Sequence, residues 1–142
     1  MAALRSSIIK ELLIERARAC IGSSIYRRNA MPEDAPHVLN CFRFTQWLWS
    51  TIGVQLPDRQ LHCSQVVAIS LEKVGIADLI FVPRLNYTID MDDFGHVGIA
   101  TGISTVIHAT QWKNGVIEDS LPLFVNRGVL GICRIPEHYY CR

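Results

Sequence analysis

A chain of 142 residues, 49% hydrophobic and 19% charged, is long enough for one domain around a single core and is not the composition of a disordered chain. Its net charge is +1, and its only adjacent basic residues are the Arg27-Arg28 pair, so nucleic-acid binding has no electrostatic support. No apolar run approaches the roughly 20 residues that a membrane helix needs.

Charges at Lys10 and Glu11 interrupt the first apolar residues too soon for a signal-peptide core. The default expectation is a cytoplasmic location, with export by a signal-independent route as the alternative. The five cysteines (Cys20, Cys41, Cys63, Cys133 and Cys141) are odd in number and contain no CxxC. They read as reduced thiols and not as a disulfide framework. His62-Cys63 and His138 with Cys141 lack the paired, repeated spacing of structural zinc ligands, so no metal and no cofactor is expected.

Residues 4–20 have helical periodicity. Leu4, Ile8 and Leu12, with Ile9, Leu13 and Ala17, line one face, while Arg5, Glu11, Glu15 and Arg18 fall largely elsewhere. Gly22-Ser23-Ser24 ends this helix. Residues 26–38 carry Asn29, Pro32, Glu33, Asp34 and Pro36 and read as a loop, either a plain connector or one wall of a cleft. A second helix begins at Cys41, with Asn40 as its N-cap, Phe44, Trp47 and Leu48 on one side, and Gly53 as its stop. Residues 61–73 predict a third helix, closed by Gly75.

The second half changes character. Leu79-Ile80-Phe81-Val82 is a short apolar run closed by Pro83, which predicts a buried strand. The polar loop at 84–95 carries Asp90, Asp92 and Asp93 but lacks the loop glycine and distal glutamate of an EF-hand, so it reads as solvated. Residues 96–101 and 104–110 predict a β-hairpin turning at Gly102, and further strands are expected at 115–118 and 129–135. Helices first and antiparallel strands after make an α+β protein, with no internal repeat or linker to divide residues 1–142 into more than one domain.

Two features of this layout bear on chemistry. Cys41 opens a helix, where the positive end of the macrodipole favours the thiolate, the nucleophilic form. The competing reading is a buried small hydrophobe, the commoner fate of a cysteine. If the hairpin is centred on Gly102, His96 and His108 stand directly opposite on one face, with Cβ atoms about 4.5–5.5 Å apart. Gly98 and Ala100 share that face and leave room for a helix to bring a thiol. One imidazole could serve as base while the second, neutral one accepts its N–H and fixes its tautomer. The competing reading is two ordinary strand histidines.

The order of pieces resembles the NlpC-type cell-wall cysteine peptidases, papain-like enzymes that cut peptide stems of peptidoglycan. The resemblance runs from about residue 8 to residue 135. It rests on the leading helix, Tyr26, Asn40-Cys41, Gly53-Val54-Gln55-Leu56-Pro57, Asp78-Leu79-Ile80-Phe81, His96-Val97-Gly98-Ile99, Gly102 and Ile107-His108-Ala109. It implies an N-terminal helical half with the nucleophile helix packed on an antiparallel sheet. It also implies Cys41 as nucleophile, His96 as general base, His108 as the residue that orients it, and Tyr26 near the substrate amine. The oxyanion would be held by the Cys41 backbone N–H and a nearby donor. The family usually has Asp-Cys-Ser-Gly at the nucleophile, whereas this chain has Asn40-Cys41-Phe42-Arg43, which makes the substrate pocket bulkier, more positive and without a charge for an ammonium group. Ala77 stands where a glycine usually precedes Asp78, a change expected only to adjust a turn.

The function implied is a cysteine peptidase acting on an amide in a peptidoglycan stem peptide, with substrate contacts from Tyr26, Asn40, Phe42 and Arg43. Two alternatives stay open. One keeps the thiol chemistry for another substrate, as an intracellular amidase, an acyltransferase, or a delivered toxin with an inhibitor or immunity partner. The other is a non-catalytic binding module with the same fold.

Overall fold

The computed structural model describes residues 2–57, 69–83 and 95–140. Two helices come first, α1 (Ala2–Ala19) and α2 (Cys41–Ser50), separated by the short parallel strands β1 (Ile25–Tyr26) and β2 (Val38–Leu39). The segment expected to be a loop therefore carries this strand pair and a 3-10 turn at Pro32–Asp34. Five strands follow: β3 (Leu79–Val82), β4 (His96–Ala100), β5 (Thr105–Thr110), β6 (Gly115–Ser120) and β7 (Gly131–Cys133). They form one sheet in the order β6-β5-β4-β3-β7, antiparallel throughout. The α+β layout expected from the sequence is the one observed.

Side chains alternate across this sheet with the two-residue period of extended chain. Leu79, Phe81, Val97, Ile99, Ile107 and Cys133 belong to one core, which α1 covers with Leu13 and Ala17 and α2 with Phe44, Leu48 and Trp49. Ile80, Val82, Ala100, Val106 and Ile132 belong to a second core on the other face. That face is closed by Phe124 of a short helix, α3 (Leu121–Val125). No helix was expected there. Its signal was Ser120, whose hydroxyl accepts from the Leu123 N–H, followed by Pro122 in the first turn.

Several expectations need correction. The buried stripe of α1 is Ser6, Leu13, Ile14 and Ala17, while Leu4 and Ile8 are exposed. Ser6 is buried because its hydroxyl donates to Glu137, at 2.6 Å, in the last 3-10 turn of the chain. The final strand is shorter than 129–135, and β6 runs two residues beyond the expected 118. Of the third helix expected at 61–73, residues 61–68 lie outside the described residues, and Leu71–Lys73 forms one 3-10 turn. The polar stretch 84–94, and with it Cys63 and Cys141, also lies outside them.

The hairpin register differs from the expectation in an instructive way. β4 and β5 pair Ile99 with Ile107 and Ala100 with Val106, and the Thr101 N–H donates to the Thr105 carbonyl at 3.0 Å. The turn is thus centred on Ile103, not Gly102. Gly102 and Ser104, on either side of it, have φ of 85° and 65°. Carried along the ladder, this register sets Gly98, not His96, across from His108. The pairing moves by two residues, so each histidine keeps its face.

Ala77 takes φ of 69°, a left-handed conformation that glycine adopts without strain. There its N–H donates to the Ala100 carbonyl at 2.8 Å. The next residue, Asp78, is buried and accepts from Arg134 Nε at 2.9 Å, Arg134 Nη2 at 2.8 Å and the Gly75 N–H at 2.8 Å.

Candidate active site

His96 begins β4 and His108 lies in the middle of β5, both buried on the α3 side of the sheet. His96 Nε2 is 2.7 Å from His108 Nδ1, and the rings meet edge to face at 83°. The remaining ring nitrogen of His108, Nε2, is 2.8 Å from Oδ2 of Asp119 on β6. Phe124 packs against both rings, with centroids 5.8 Å from His96 and 4.8 Å from His108. Three polar side chains thus form a hydrogen-bonded line across three adjacent strands.

Burial lowers the His108 pKa below its ordinary value, against the opposing pull of the Asp119 hydrogen bond and charge, and the Arg127 cation lowers it further. The unfolded chain therefore takes up a proton here before the folded one does. This contribution to stability is complete above pH ~6.5 and is lost as the pH falls through the folded value. At neutral pH His108 is a neutral imidazole with one N–H. A carboxylate only accepts, so that N–H sits on Nε2 and points at Asp119. Nδ1 of His108 is then an acceptor, and His96 must donate to it from Nε2. In a neutral His96 the lone pair is left on Nδ1.

Gly98 makes the close packing possible. A Cβ at this position would run into Val106 Cγ1 and lie 3.0 Å from Phe124 Cζ and 3.3 Å from His108 Cβ. The small-residue hollow expected to receive the nucleophile helix is filled by α3 instead. α2 packs on the other face, against Val97 and Ile99, because its apolar stripe is complementary to that larger core. Gly98→Ala is expected to lower stability by about 2 kcal/mol, measured by urea unfolding. An unchanged midpoint would mean that Phe124 moves aside without cost.

Cys41 is the first residue of α2 and is 3% exposed. Asn40 caps the helix through Oδ1, which accepts from the Arg43 N–H at 2.8 Å, while its amide nitrogen donates to the Arg28 carbonyl at 3.0 Å. Arg127, just beyond α3, is acted on by the charges of both Asp119 and Cys41. Burial lowers the pKa of that guanidinium, and the nearby Asp119 and Cys41 charges pull it back up. Arg127 lies 5.6 Å over the Phe124 ring and donates from Nη1 to the Pro83 carbonyl at 3.2 Å. Cys20, by contrast, is a core thiol whose pKa burial raises.

The other sequence candidates lie around α2. Tyr26 and Phe42 are half-buried against the α2-side core. Arg43 donates from Nε to the Ala30 carbonyl at 3.1 Å and from Nη1 to Gln46 at 2.8 Å. It also lines a cavity of about 590 Å³ with Pro32, Gln46, Trp47, Gln55 and Leu56, so the 26–38 segment does contribute to a cavity wall. That cavity does not include Cys41 or the histidines. Sequence reasoning missed Asp119, Phe124 and Arg127. Period-two alternation could have put Asp119 on the histidine face, but nothing local marks the other two. Among the described residues, no group of three or more His, Cys, Asp or Glu is arranged to hold a metal ion, and no helix is long and apolar enough to cross a membrane.

Comparison with solved structures settles the architecture. NlpC1 from Trichomonas vaginalis superposes with a TM-score of 0.69 at 18% identity, over 88% of this chain and 43% of that one. The chain has the NlpC/P60 fold. The NlpC/P60 domain of the peptidoglycan hydrolase SagA matches with a TM-score of 0.64 at 21% identity, over 87% of this chain and 96% of that domain. The peptidoglycan hydrolase RipB from Mycobacterium tuberculosis matches with a TM-score of 0.71 at 16% identity, over 93% and 67%. This chain spans less than half the length of the Trichomonas structure, and identities this low carry the fold and nothing finer. No family model and no curated protein matches the sequence.

Proposed function

We propose that this NlpC/P60 domain is a cysteine peptidase that hydrolyses an amide bond in a peptidoglycan stem peptide. The observation that carries the proposal is the hydrogen-bonded His96–His108 pair on the same fold that sets a thiol at the start of α2. In this reading the Cys41 thiolate attacks the carbonyl carbon. The oxyanion is held by the Cys41 backbone N–H and a second donor, each such donor being worth about 3–4 kcal/mol. His96, having taken the thiol proton, returns it to the leaving amine, and water then resolves the thioester to the acid. His108 orients His96. Tyr26, Phe42 and Arg43 contribute to the substrate wall, and Asn40 holds the helix start.

The commitment of Asn40 to its cap and to Arg28, and of Arg43 to Ala30 and Gln46, favours one variant of this reading: the same thiol chemistry on a substrate whose amine is not held by a carboxylate. The decisive experiment incubates the protein with purified peptidoglycan fragments and reads new amino termini by mass spectrometry. Wild type is expected to release a peptide and Cys41→Ala to release none. Equal activity in Cys41→Ala would eliminate the thiol mechanism. Inactivity of wild type on fragments, together with turnover of simple peptide amides or acyl transfer, would move the substrate away from the cell wall.

A further inference from the structure

We infer that Asp119 is a positioning residue that sets the tautomers of both histidines and so decides which nitrogen of His96 is the base. The inference rests on the peptidase reading of the same site and goes beyond the Cys-His-His set. Its geometry is the line His96 Nε2 to His108 Nδ1 at 2.7 Å and His108 Nε2 to Asp119 Oδ2 at 2.8 Å.

An imidazole between two polar partners has two self-consistent arrangements. With its proton on Nε2, His108 accepts from His96, and His96 has its lone pair on Nδ1. With its proton on Nδ1, His108 donates to His96 Nε2, which must then carry a lone pair. His96 in that case holds its proton on Nδ1, so that nitrogen has no lone pair with which to take a thiol proton. Only the group at the far end of the line distinguishes the two. A carboxylate cannot donate, so Asp119 permits only the first arrangement. An amide in its place could donate, and would permit the second.

Among the described residues no neighbouring acid can substitute. Glu118, the preceding residue of β6, accepts from Arg18 at 3.0 Å and 3.1 Å and from Thr105 at 2.6 Å. It therefore belongs to the opposite side of the strand. Among the described residues, the charged and titratable groups around His108 are Asp119 from β6, His96 from β4 and Arg127 beyond α3. Arg127 is a cation and cannot accept. Asp119 also serves the charged state. When His96 takes up a proton, the positive charge forms among buried aromatic rings, and the Asp119 carboxylate is the anion hydrogen-bonded to its partner imidazole. With its side chain 28% exposed, Asp119 tolerates replacement better than either histidine.

The test uses two readouts on the intact protein. Imidazole nitrogen NMR at neutral pH locates the ring protons, and alkylation of Cys41 across pH reports its activation. His108 of wild type is expected to be protonated at Nε2 alone, and His96 to carry a proton on Nε2 whether or not its Nδ1 has taken the Cys41 proton. In Asp119→Asn a form of His108 protonated at Nδ1 should appear, and the midpoint of Cys41 alkylation should rise by at least one pH unit. Asp119→Glu should retain the wild-type tautomers. An Asp119→Asn protein with wild-type tautomers and an unmoved midpoint would overturn the inference. So would a wild-type spectrum with the His108 proton on Nδ1, which needs no variant to fold. Wild-type Cys41 labelling only above pH ~8, with Nε2 tautomers that switch in Asp119→Asn, would remove the peptidase reading but leave the role of Asp119 standing.

Discussion

His96→Ala is expected to move the midpoint of Cys41 alkylation from below pH 7 to about 8.5, the range of an ordinary thiol. The same change should lower kcat/KM for any peptide amide by about 10²–10⁴-fold. The thiol sits at a helix N-terminus, and that environment alone lowers a thiol pKa modestly. A larger depression needs a cation created by proton transfer, which in the proposed mechanism is the His96 imidazolium, backed by the hydrogen-bonded line to His108 and Asp119. The midpoint is a better readout than a single rate, because a thiolate of low pKa is also a weaker nucleophile and the two effects partly cancel. Iodoacetamide labelling located by peptide mass spectrometry separates Cys41 from Cys20 and Cys133, which are also buried. An ordinary midpoint in wild type, indifferent to His96, would mean that Cys41 is a core residue and the domain a binding module.

The second large effect concerns the frame of the site. Arg134→Ala should cost about 3–4 kcal/mol, and Asp78→Asn about 1–2 kcal/mol, in urea unfolding. The asymmetry follows from burial. The Asp78 side chain is 3% exposed, whereas that of Arg134 is 41% exposed. Removing the arginine strands a buried carboxylate whose one remaining partner among the described residues is the Gly75 N–H. Removing the carboxylate leaves a guanidinium that can turn to water and still donate to the Lys73 carbonyl. Equal losses in the two variants would show that the pair acts through packing and not through charge. Neither variant touches the histidine line, so the Cys41 alkylation midpoint should stay put in both.

The class of fold and most of the strands were legible because they depend on short-range pattern. The apolar run closed by Pro83, the alternation in residues 96–110 and the Asn40 cap each act within a few residues. The same alternation put His96 and His108 on one face, and that survived an error in the turn because the slip was an even number of residues.

What the sequence alone determined, then, was the helix start at Cys41, the antiparallel sheet and the shared face of the two histidines. The tertiary structure decided which face each helix covers. It put α2 against Val97 and Ile99 and α3 against Gly98, because volumes must match across a core and no local pattern encodes the partner. It also decided that Asp119 ends the histidine line and that Arg127 lies where the charges of both Asp119 and Cys41 act on it. Those relations join residues 11 and 86 positions apart, and a hydrogen bond or a Coulombic contact leaves no periodic trace in the chain that makes it.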